Sequence, residues 1–388
     1  MGLTGLALKN VRRNPFRTIL TVLGVMVAVL AFVFLRTALA SWFSGVDAAA
    51  QDRLATRHKV AIVMPLPIRY FEKIKSDVPG VTAVTYANWF GGVDPTDEHD
   101  FFANFAVDPE SYFDVYDDIV LSKEQLAAFE ADRTGCVIGS AIAKRKGWKL
   151  GDRINLRGTI YPGDYKFTVR GIYGTKTNVI DKSTVFFSWK YFNEVVPATV
   201  KDGVSFFGIR VADPGKGPEV SAAIDKMFEG GDAETLTESE RAFNMSFLSM
   251  SSAIVAALEL VSIVILVIMG LILANTIAMS VRERTHEYGV MRAVGFKPHH
   301  VATLVATEGA LLGLLGGALG LGFALPVVNG FGDFVEENLG SFFPYFRISP
   351  VLAMVALALA IAVGLVAATV PALLAARLRV VDALRRVG

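Results

Sequence analysis

Few residues of this 388-residue chain have the type and spacing that catalysis or metal binding needs. Gly215-Lys216 is followed by Gly217-Pro218, so the pair does not form the phosphate-binding loop of an ATPase. The acidic segment DPTDEHD, which begins at Asp94, lacks the glycine and the closing glutamate of a calcium-binding loop. The histidines do not have the spacing of a zinc site; they are His58, His99, His286, His299 and His300. We therefore predict a chain without catalytic or metal-binding residues, and we interpret the acidic segment as a solvated loop.

The composition is that of a membrane protein. Apolar residues make up 53% of the chain and the mean hydropathy is +0.45, above the values of ordinary soluble domains. The formal net charge of +1 provides no basic field for a nucleic acid, so no nucleic-acid partner is expected. The single cysteine, Cys136, cannot close a disulfide within the chain and leaves the redox compartment open.

Four apolar stretches are long enough to cross a bilayer, which takes about 20 helical residues. They run approximately over Thr18–Leu39, Ala253–Met279, Val301–Val328 and Val351–Ala376. Basic residues lie at alternate ends of these stretches: Lys9, Arg12, Arg13 and Arg17 precede the first, Arg282, Arg284, Arg292 and Lys297 follow the second, and Arg377, Arg379, Arg385 and Arg386 follow the fourth. Because basic residues are retained on the cytoplasmic side, we predict that both termini and the loop 281–300 are cytoplasmic.

The predicted fold class is an α-helical membrane protein with four transmembrane helices and a large extracytoplasmic mixed α/β domain between the first and the second. The predicted segments are a cytoplasmic amphipathic N-terminal helix (1–17), transmembrane helices at 18–40, 246–280, 301–330 and 350–376, the extracytoplasmic domain at 41–245, the cytoplasmic loop at 281–300, a short outer loop at 331–349 and a cytoplasmic tail at 377–388. The N-terminal helix is inferred from apolar Leu3, Leu6 and Val11 opposite basic Lys9, Arg12 and Arg13.

The segment between the first two spans contains charged residues, prolines and short β-rich runs, which are typical of a folded α/β domain. We predict strands at Val60–Met64 and Val81–Tyr86, and helices at Ile68–Ser76 and Glu219–Phe228. Three pairs of adjacent phenylalanines also lie there, at Phe101-Phe102, Phe186-Phe187 and Phe206-Phe207. They are suited to an apolar cargo surface, but the alternation of side chains along a strand favours the core for most of them.

Small and polar residues interrupt the apolar stretches. The third stretch has glycines at intervals that allow close helix packing, namely Gly309, Gly313, Gly316, Gly317 and Gly320. Their spacing predicts close contacts, either within one chain or between two chains. Glu259, Asn275 and Glu308 lie in or near spans, where polar groups are costly, so we expect them to face protein or water in structural or functional contacts.

The loop Ser280–His300 is the most informative local segment. Gly289 and Gly295 bracket a short apolar-faced segment, and Gly295 followed by Pro298 is typical of a helix end. The pattern predicts a short helix between the second and third spans, with charged residues along it. Such a helix is suited to docking on a cytosolic partner; the alternative is a plain turn whose charges only fix the topology.

Within this loop, RERTHEYGVMRAVGF resembles the sequence that follows the second span in permease subunits of the MacB/FtsX/LolC-LolE superfamily of ABC transporters. The characteristic core of that family is ERxxE[IY]Gxx[RK]AxG, and the positions that agree with it are Glu283, Arg284, Glu287, Tyr288, Gly289, Arg292, Ala293 and Gly295. NPFRTILTVLGVMVAV near the start and CVIGSAIAKRKGWKLGDRINL in the large domain are similar to further family segments. The resemblance therefore extends along most of the chain.

The resemblance implies an ATPase-coupling role for the loop, through Glu283, Arg284, Glu287, Tyr288, Gly289, Arg292 and Gly295. It also implies two copies of a cytosolic ABC ATPase, which bind ATP and magnesium, and a second permease chain in a homo- or heterodimer. Because MacB has its ATPase domain before the first span and only about seventeen residues precede it here, we expect the ATPase in a separate chain. This chain is then a non-catalytic subunit without a cofactor of its own.

The same resemblance favours one function over another. The favoured function is a permease that couples ATP hydrolysis to motions of the extracytoplasmic domain and exports or extracts a hydrophobic or amphipathic cargo, such as a drug, lipid or lipoprotein. The alternative is an FtsX-like transmitter that regulates a cell-wall hydrolase, and a smaller outer domain is usual for that type. Expected partners include membrane lipids and a periplasmic adaptor or carrier, and the expected location is the bacterial cytoplasmic (inner) membrane.

Overall fold

The computed structural model of the chain describes residues 3–97, 100–249 and 251–378. It divides into two units: the first comprises Met1–Ala40, Ala253–Phe331 and Phe346–Gly388, and the second comprises Ser41–Ser252 and Gly332–Tyr345. Some residues used in the sequence predictions lie outside the described part, namely His99, Arg379, Arg385, Arg386 and the side chains of Leu3, Val11 and Arg12.

The helices, in chain order, are α1 (Leu3–Arg13), α2 (Pro15–Trp42), α3 (Ser44–Asp47), α4 (Tyr70–Asp77), α5 (Tyr112–Val115), α6 (Lys123–Ala131), α7 (Ser140–Lys146), α8 (Trp189–Val195), α9 (Gly217–Met227), α10 (Glu240–Ser249), α11 (Ser252–Glu283), α12 (Thr285–Ala293), α13 (Pro298–Asn338) and α14 (Pro350–Ala376), with 3₁₀ turns at Ala198–Val200 and Pro214–Lys216. Among the described residues, α2, α11, α13 and α14 are the helices long and apolar enough to cross a membrane. Four spans with a large domain between the first and second confirm the predicted fold class.

The strands are β1 (Arg53–His58), β2 (Leu66–Pro67), β3 (Val81–Trp89), β4 (Gly92–Val93), β5 (Asn104–Val107), β6 (Ile119–Val120), β7 (Gly135–Gly139), β8 (Arg153–Gly158), β9 (Gly163–Thr175), β10 (Val185–Ser188), β11 (Gly203–Val204), β12 (Phe206–Val211) and β13 (Thr235–Ser239). One mixed sheet has the order β13-β1-β12-β3-β5-β10-β7-β9-β8-β4, with β6 paired to β9, and β2 pairs with β11 separately. In the mixed sheet β5 and β10 are parallel, as are β7 and β9.

Both faces of this sheet are covered by apolar side chains, because successive residues of a strand point to opposite sides. The larger core includes Phe187 and Phe207 together with residues of α4, α7, α8 and α9. The smaller core includes Phe186 and Phe206 together with residues of α5 and α6. The predicted core position of the phenylalanine pairs is thus confirmed, except that Phe101 is 44% exposed.

The strand predicted at Val60–Met64 is wrong. These residues form a loop after β1, in which the side chain of Val63 is 81% exposed. The true strand, β1, contains Arg53, Thr56 and His58, which are buried in spite of their polarity. An uninterrupted apolar run has no period that distinguishes a buried strand from an exposed apolar loop, so the sequence pattern pointed to the wrong residues.

The interpretation of DPTDEHD as a solvated loop is wrong at its ends. Lys146 Nζ lies 3.2 Å from a carboxylate oxygen of Asp94 and 2.8 Å from one of Asp100. Burial opposes the charge on Asp94, but hydrogen bonds from Thr96 and the contact with Lys146 hold its pKa below the usual value. Among the described residues, no group of three or more His, Cys, Asp or Glu side chains is arranged to hold a metal ion.

The glycines of α13 pack against two different helices of the same chain. A Cβ atom at Gly309, Gly313 or Gly317 would lie 2.3–2.8 Å from atoms of α14, and one at Gly316 or Gly320 would lie 2.5–2.9 Å from side-chain atoms of α2. Contacts this short leave no room for a side chain. Of the two alternatives left by the sequence, the structure shows packing within one chain.

The predicted orientation of the spans is testable with single cysteines in a Cys136→Ser background. Cysteine at Glu72, which is exposed in the large domain, should react with a membrane-impermeant maleimide added to intact cells. Cysteine at the exposed Lys297 should react only after the membrane is permeabilised, because the loop 281–300 is predicted to be cytoplasmic. If Lys297→Cys reacts in intact cells and Glu72→Cys does not, the orientation is the reverse of the predicted one.

Candidate coupling site at the loop between the second and third spans

The loop between α11 and α13 begins with a break in the helix. Helix α11 ends at Glu283, and Arg284 has φ −104° and ψ 14°, which is outside the geometry of a continuous helix. The chain therefore changes direction at Arg284 and starts α12 at Thr285.

The end of α12 is fixed by a glycine. Gly295 donates its backbone N–H to the carbonyl of Arg292 (3.2 Å), and Phe296 donates to the carbonyl of Met291 (3.0 Å). This pair of bonds defines a Schellman helix end. Gly295 has a φ of 106°, a conformation that L side chains rarely adopt, which confirms the predicted glycine stop.

Arg284 and Glu308 form a buried ion pair that joins the loop to α13. Arg284 Nη1 donates to Glu308 Oε2 at 3.2 Å, and the hydroxyl of Ser280 donates to Glu308 Oε1 at 2.9 Å. The Glu308 residue is only 5% exposed. Arg284 Nη2 also donates to the backbone carbonyl of Asn10 at 2.9 Å, so one guanidinium at the junction of α11 and α12 links α13 to α1.

Two exposed ion pairs tie the same loop to the start of the chain. Arg17 of α2 makes a two-point contact with Glu283, in which Arg17 Nη1 donates to Glu283 Oε2 at 2.9 Å. Arg13 of α1 pairs with Glu287 of α12. Exposed pairs of this kind contribute about 0.2–1 kcal/mol each, so they orient the loop more than they stabilise it.

The residues of α12 divide into an inner and an outer face. Tyr288 and Gly289 are buried, and burial raises the pKa of the Tyr288 hydroxyl to about 12, so it stays neutral at physiological pH. On the outer side Val290 of α12 is exposed, as are Val294 and Phe296 directly after the helix, and Val294 is 77% exposed. The loop therefore presents a small apolar surface, which we call the α12 outer face.

The structure gives most of the charged site residues a partner within the chain. Glu283, Arg284 and Glu287 bind residues of α1, α2 or α13, and Arg292 is half-buried. Sequence reasoning missed the basic partners Arg13 and Arg17 and the α12 outer face. One signal was available, because the two arginines and the two glutamates are both spaced by four residues.

A charge exchange between α1 and α12 tests the Arg13–Glu287 pair. Glu287→Arg should bring two cations together and increase hydrogen exchange of the backbone amides of residues 285–293. The double variant Arg13→Glu with Glu287→Arg should restore the exchange rates of the parent, with a coupling energy of about 0.2–1 kcal/mol. Lys297→Glu serves as the control for a charge change in the same loop. A double variant no better than Glu287→Arg alone would show that Glu287 acts outside the chain.

The family comparisons agree with this arrangement of spans and domain. A model of the FtsX-like permease C-terminal family matches residues 259–380, and a model of the MacB-like periplasmic core domain matches residues 18–227. The chain is 26% identical over 406 aligned residues to an uncharacterized ABC transporter permease of Methanocaldococcus jannaschii, covering 98% of this chain and 96% of the relative.

Other relatives match a part of the chain. A macrolide export ATP-binding/permease protein MacB of Chromobacterium violaceum is 37% identical over 138 residues, which cover 36% of this chain and 20% of the relative. The crystal structure of the periplasmic region of MacB from Actinobacillus actinomycetemcomitans aligns with 52% of this chain and 95% of its own length, at 10% identity and a TM-score of 0.38. Because the MacB-like core model alone covers more than half of the 388 residues, the chain belongs to the MacB/FtsX superfamily of ABC transporter permeases.

Proposed function

We propose that this permease is a non-catalytic subunit that couples ATP hydrolysis by a separate cytosolic ABC ATPase to motion of its large domain. The proposal rests on one observation: the segment 283–287, where α11 ends and α12 begins, is bound to α1, α2 and α13 by three ion pairs and one hydrogen bond. A force on α12 is therefore transmitted to α1, α2 and α13. ATP and magnesium are held by the partner, two copies of which serve two permease chains.

The α12 outer face is the proposed contact with the ATPase. Protein interfaces have an apolar centre that excludes water and a polar rim, and Val290, Val294 and Phe296 supply such a centre. The ion pairs of Glu283 and Glu287 lie beside it and hold it in place. Docking in this proposal depends on apolar contact, and the charged residues act by orienting the helix.

A second permease chain is proposed to cover α11. Of the 18 most apolar consecutive residues of α11, only 11% are buried, whereas the share is 39% in the corresponding segments of α2 and α13. Its exposed surface includes Glu259 and Asn275, and polar groups in a span are costly unless they face protein or water. A second copy supplies the missing protein surface.

The proposed location is the bacterial cytoplasmic (inner) membrane with both termini in the cytoplasm, since the ATPase must reach α12. The proposed cargo is a hydrophobic or amphipathic molecule such as a drug, lipid or lipoprotein, received with a periplasmic adaptor or carrier. An FtsX-like transmitter would use the same coupling through α12 and would differ only in what the large domain contacts.

Docking through the α12 outer face predicts a specific effect of Val294→Glu. A buried charge in an apolar interface is costly, so the variant should weaken co-purification with the ABC ATPase partner by tenfold or more, which is about 1.4 kcal/mol. Val195→Glu changes an exposed valine of the large domain in the same way and should bind as the parent does. The purified permease alone should hydrolyse no ATP. Unchanged co-purification and transport by Val294→Glu would refute docking through this face.

If two copies of α11 are in contact, a cysteine introduced on the exposed surface of α11 should cross-link the dimer. In a Cys136→Ser background, Leu271→Cys on the exposed surface of α11 should give a disulfide-linked dimer in membranes under mild oxidation. Val366→Cys, which is equally exposed on α14, is the control and should remain monomeric. A dimer through Val366→Cys with none through Leu271→Cys would place the second chain on α14.

A further inference from the structure

The large domain contains a cavity of about 580 Å³ on the face of the sheet that holds the smaller core. One wall is a row of aromatic rings: Trp89 and Phe105 are 5.0 Å apart between centroids, Phe105 and Phe206 are 6.4 Å apart, and Phe206 and Phe243 are 5.1 Å apart. Cavities of about 300–1,000 Å³ with mainly apolar walls are the usual form of small-molecule sites. The size and lining of this cavity therefore fit a small apolar ligand.

A second cavity of about 410 Å³ adjoins the first. The two share the side chains of Trp89, Tyr116, Glu240 and Asn244. The second cavity is also lined by Trp42, the last residue of α2, and by Phe342, whose ring stacks on that of Trp42 at 5.6 Å between centroids. Because α2 is a span, its last residue stands at the membrane boundary, where tryptophan is common.

Apolar residues also mark the mouth of the first cavity. Ile62 and Val63 of the loop after β1 line it, as does Ile160, and both Val63 and Ile160 are mostly exposed. These side chains extend the apolar surface of the cavity to its opening. The loop at residues 60–64, where a strand was predicted, thus forms part of the opening of the first cavity.

The charged groups at the junction of the two cavities are already neutralised. Arg53 Nε donates to Glu240 Oε2 at 2.8 Å, and Arg53 Nη2 lies 2.5 Å from Asp118. The guanidinium also stands over the ring of Tyr116, 5.1 Å from its centroid. With its carboxylates paired, the junction selects no ionic group, and the part of a ligand that lies there is expected to be apolar and uncharged.

We propose that the two adjoining cavities bind one acyl chain of a membrane amphiphile. A flexible hydrocarbon chain fits two cavities in succession better than a compact ring system, and Trp42 and Phe342 provide an approach from the membrane boundary. Binding of the acyl chain does not need the ATPase. Only the role of the bound amphiphile as cargo rests on the proposed transport function.

The test uses the full chain in lipid nanodiscs that contain a phosphatidylcholine with a diazirine at the end of one acyl chain. After irradiation, peptides from the cavity walls around Trp89 and Phe243 should have the lipid adduct, together with peptides of the spans. Asn244→Trp should fill the junction of the cavities and lower adducts on the cavity peptides fivefold or more. Asn244→Ala leaves the space open and should stay within twofold of the parent, and adducts on the spans should not change in either variant.

The mouth is tested by Val63→Asp, which should lower the same adducts, whereas Val195→Asp outside the cavity should not. Cavity peptides without adducts in the parent chain, or equal adducts in Asn244→Trp and Asn244→Ala, would overturn the inference. A disulfide-linked dimer through Val63→Cys would assign the mouth to a second chain and would overturn it too. Asn244→Trp should still co-purify with the ATPase at the level of the parent. A loss of lipid adducts in this variant can then be distinguished from a failure of the proposed coupling.

Discussion

The need to pair the buried carboxylate of Glu308 determines much of the geometry of the loop 281–300. A carboxylate on a membrane-spanning helix needs a partner, and here Arg284 and Ser280 supply the contacts. Ser280 and Arg284 are four residues apart and so lie on one face at the end of α11, from which both reach the carboxylate. The same guanidinium holds the carbonyl of Asn10, so the N-terminal helix is positioned by the same requirement. Loss of one partner of such a buried pair costs about 3–5 kcal/mol.

The ion pairs of the loop thus fall into two kinds with different roles. The buried pair is expensive to break and fixes where the helices meet, whereas the exposed pairs of Arg13 and Arg17 are weak individually and are screened by salt. In the proposed coupling, a rigid centre with weaker outer contacts would let α12 follow the ATPase by small rotations without separating from the spans. Binding and release through the proposed α12 outer face would then leave the ion pairs intact.

The sequence predicted what depends on local chemistry and missed what depends on distant contacts. The four spans and the glycine stop at Gly295 were predictable, because apolar length and a positive φ are properties of short segments. Residues 60–64 misled the prediction because exposure of an apolar run is decided by the sheet around it. The partners of Glu283 and Glu287 lie more than 260 residues away, so no local pattern showed that these acids are paired within the chain.

Helix α13 packs against two other spans through different glycines, and this fixes its angular phase. It runs for 41 residues, about 60 Å, with Gly313 against α14 and Gly320 against α2. One residue inserted between Gly313 and Gly320 would turn one of these contacts by about 100° relative to the other. The number of residues between the two glycines is therefore fixed, although neither glycine has a side chain that could make a specific bond.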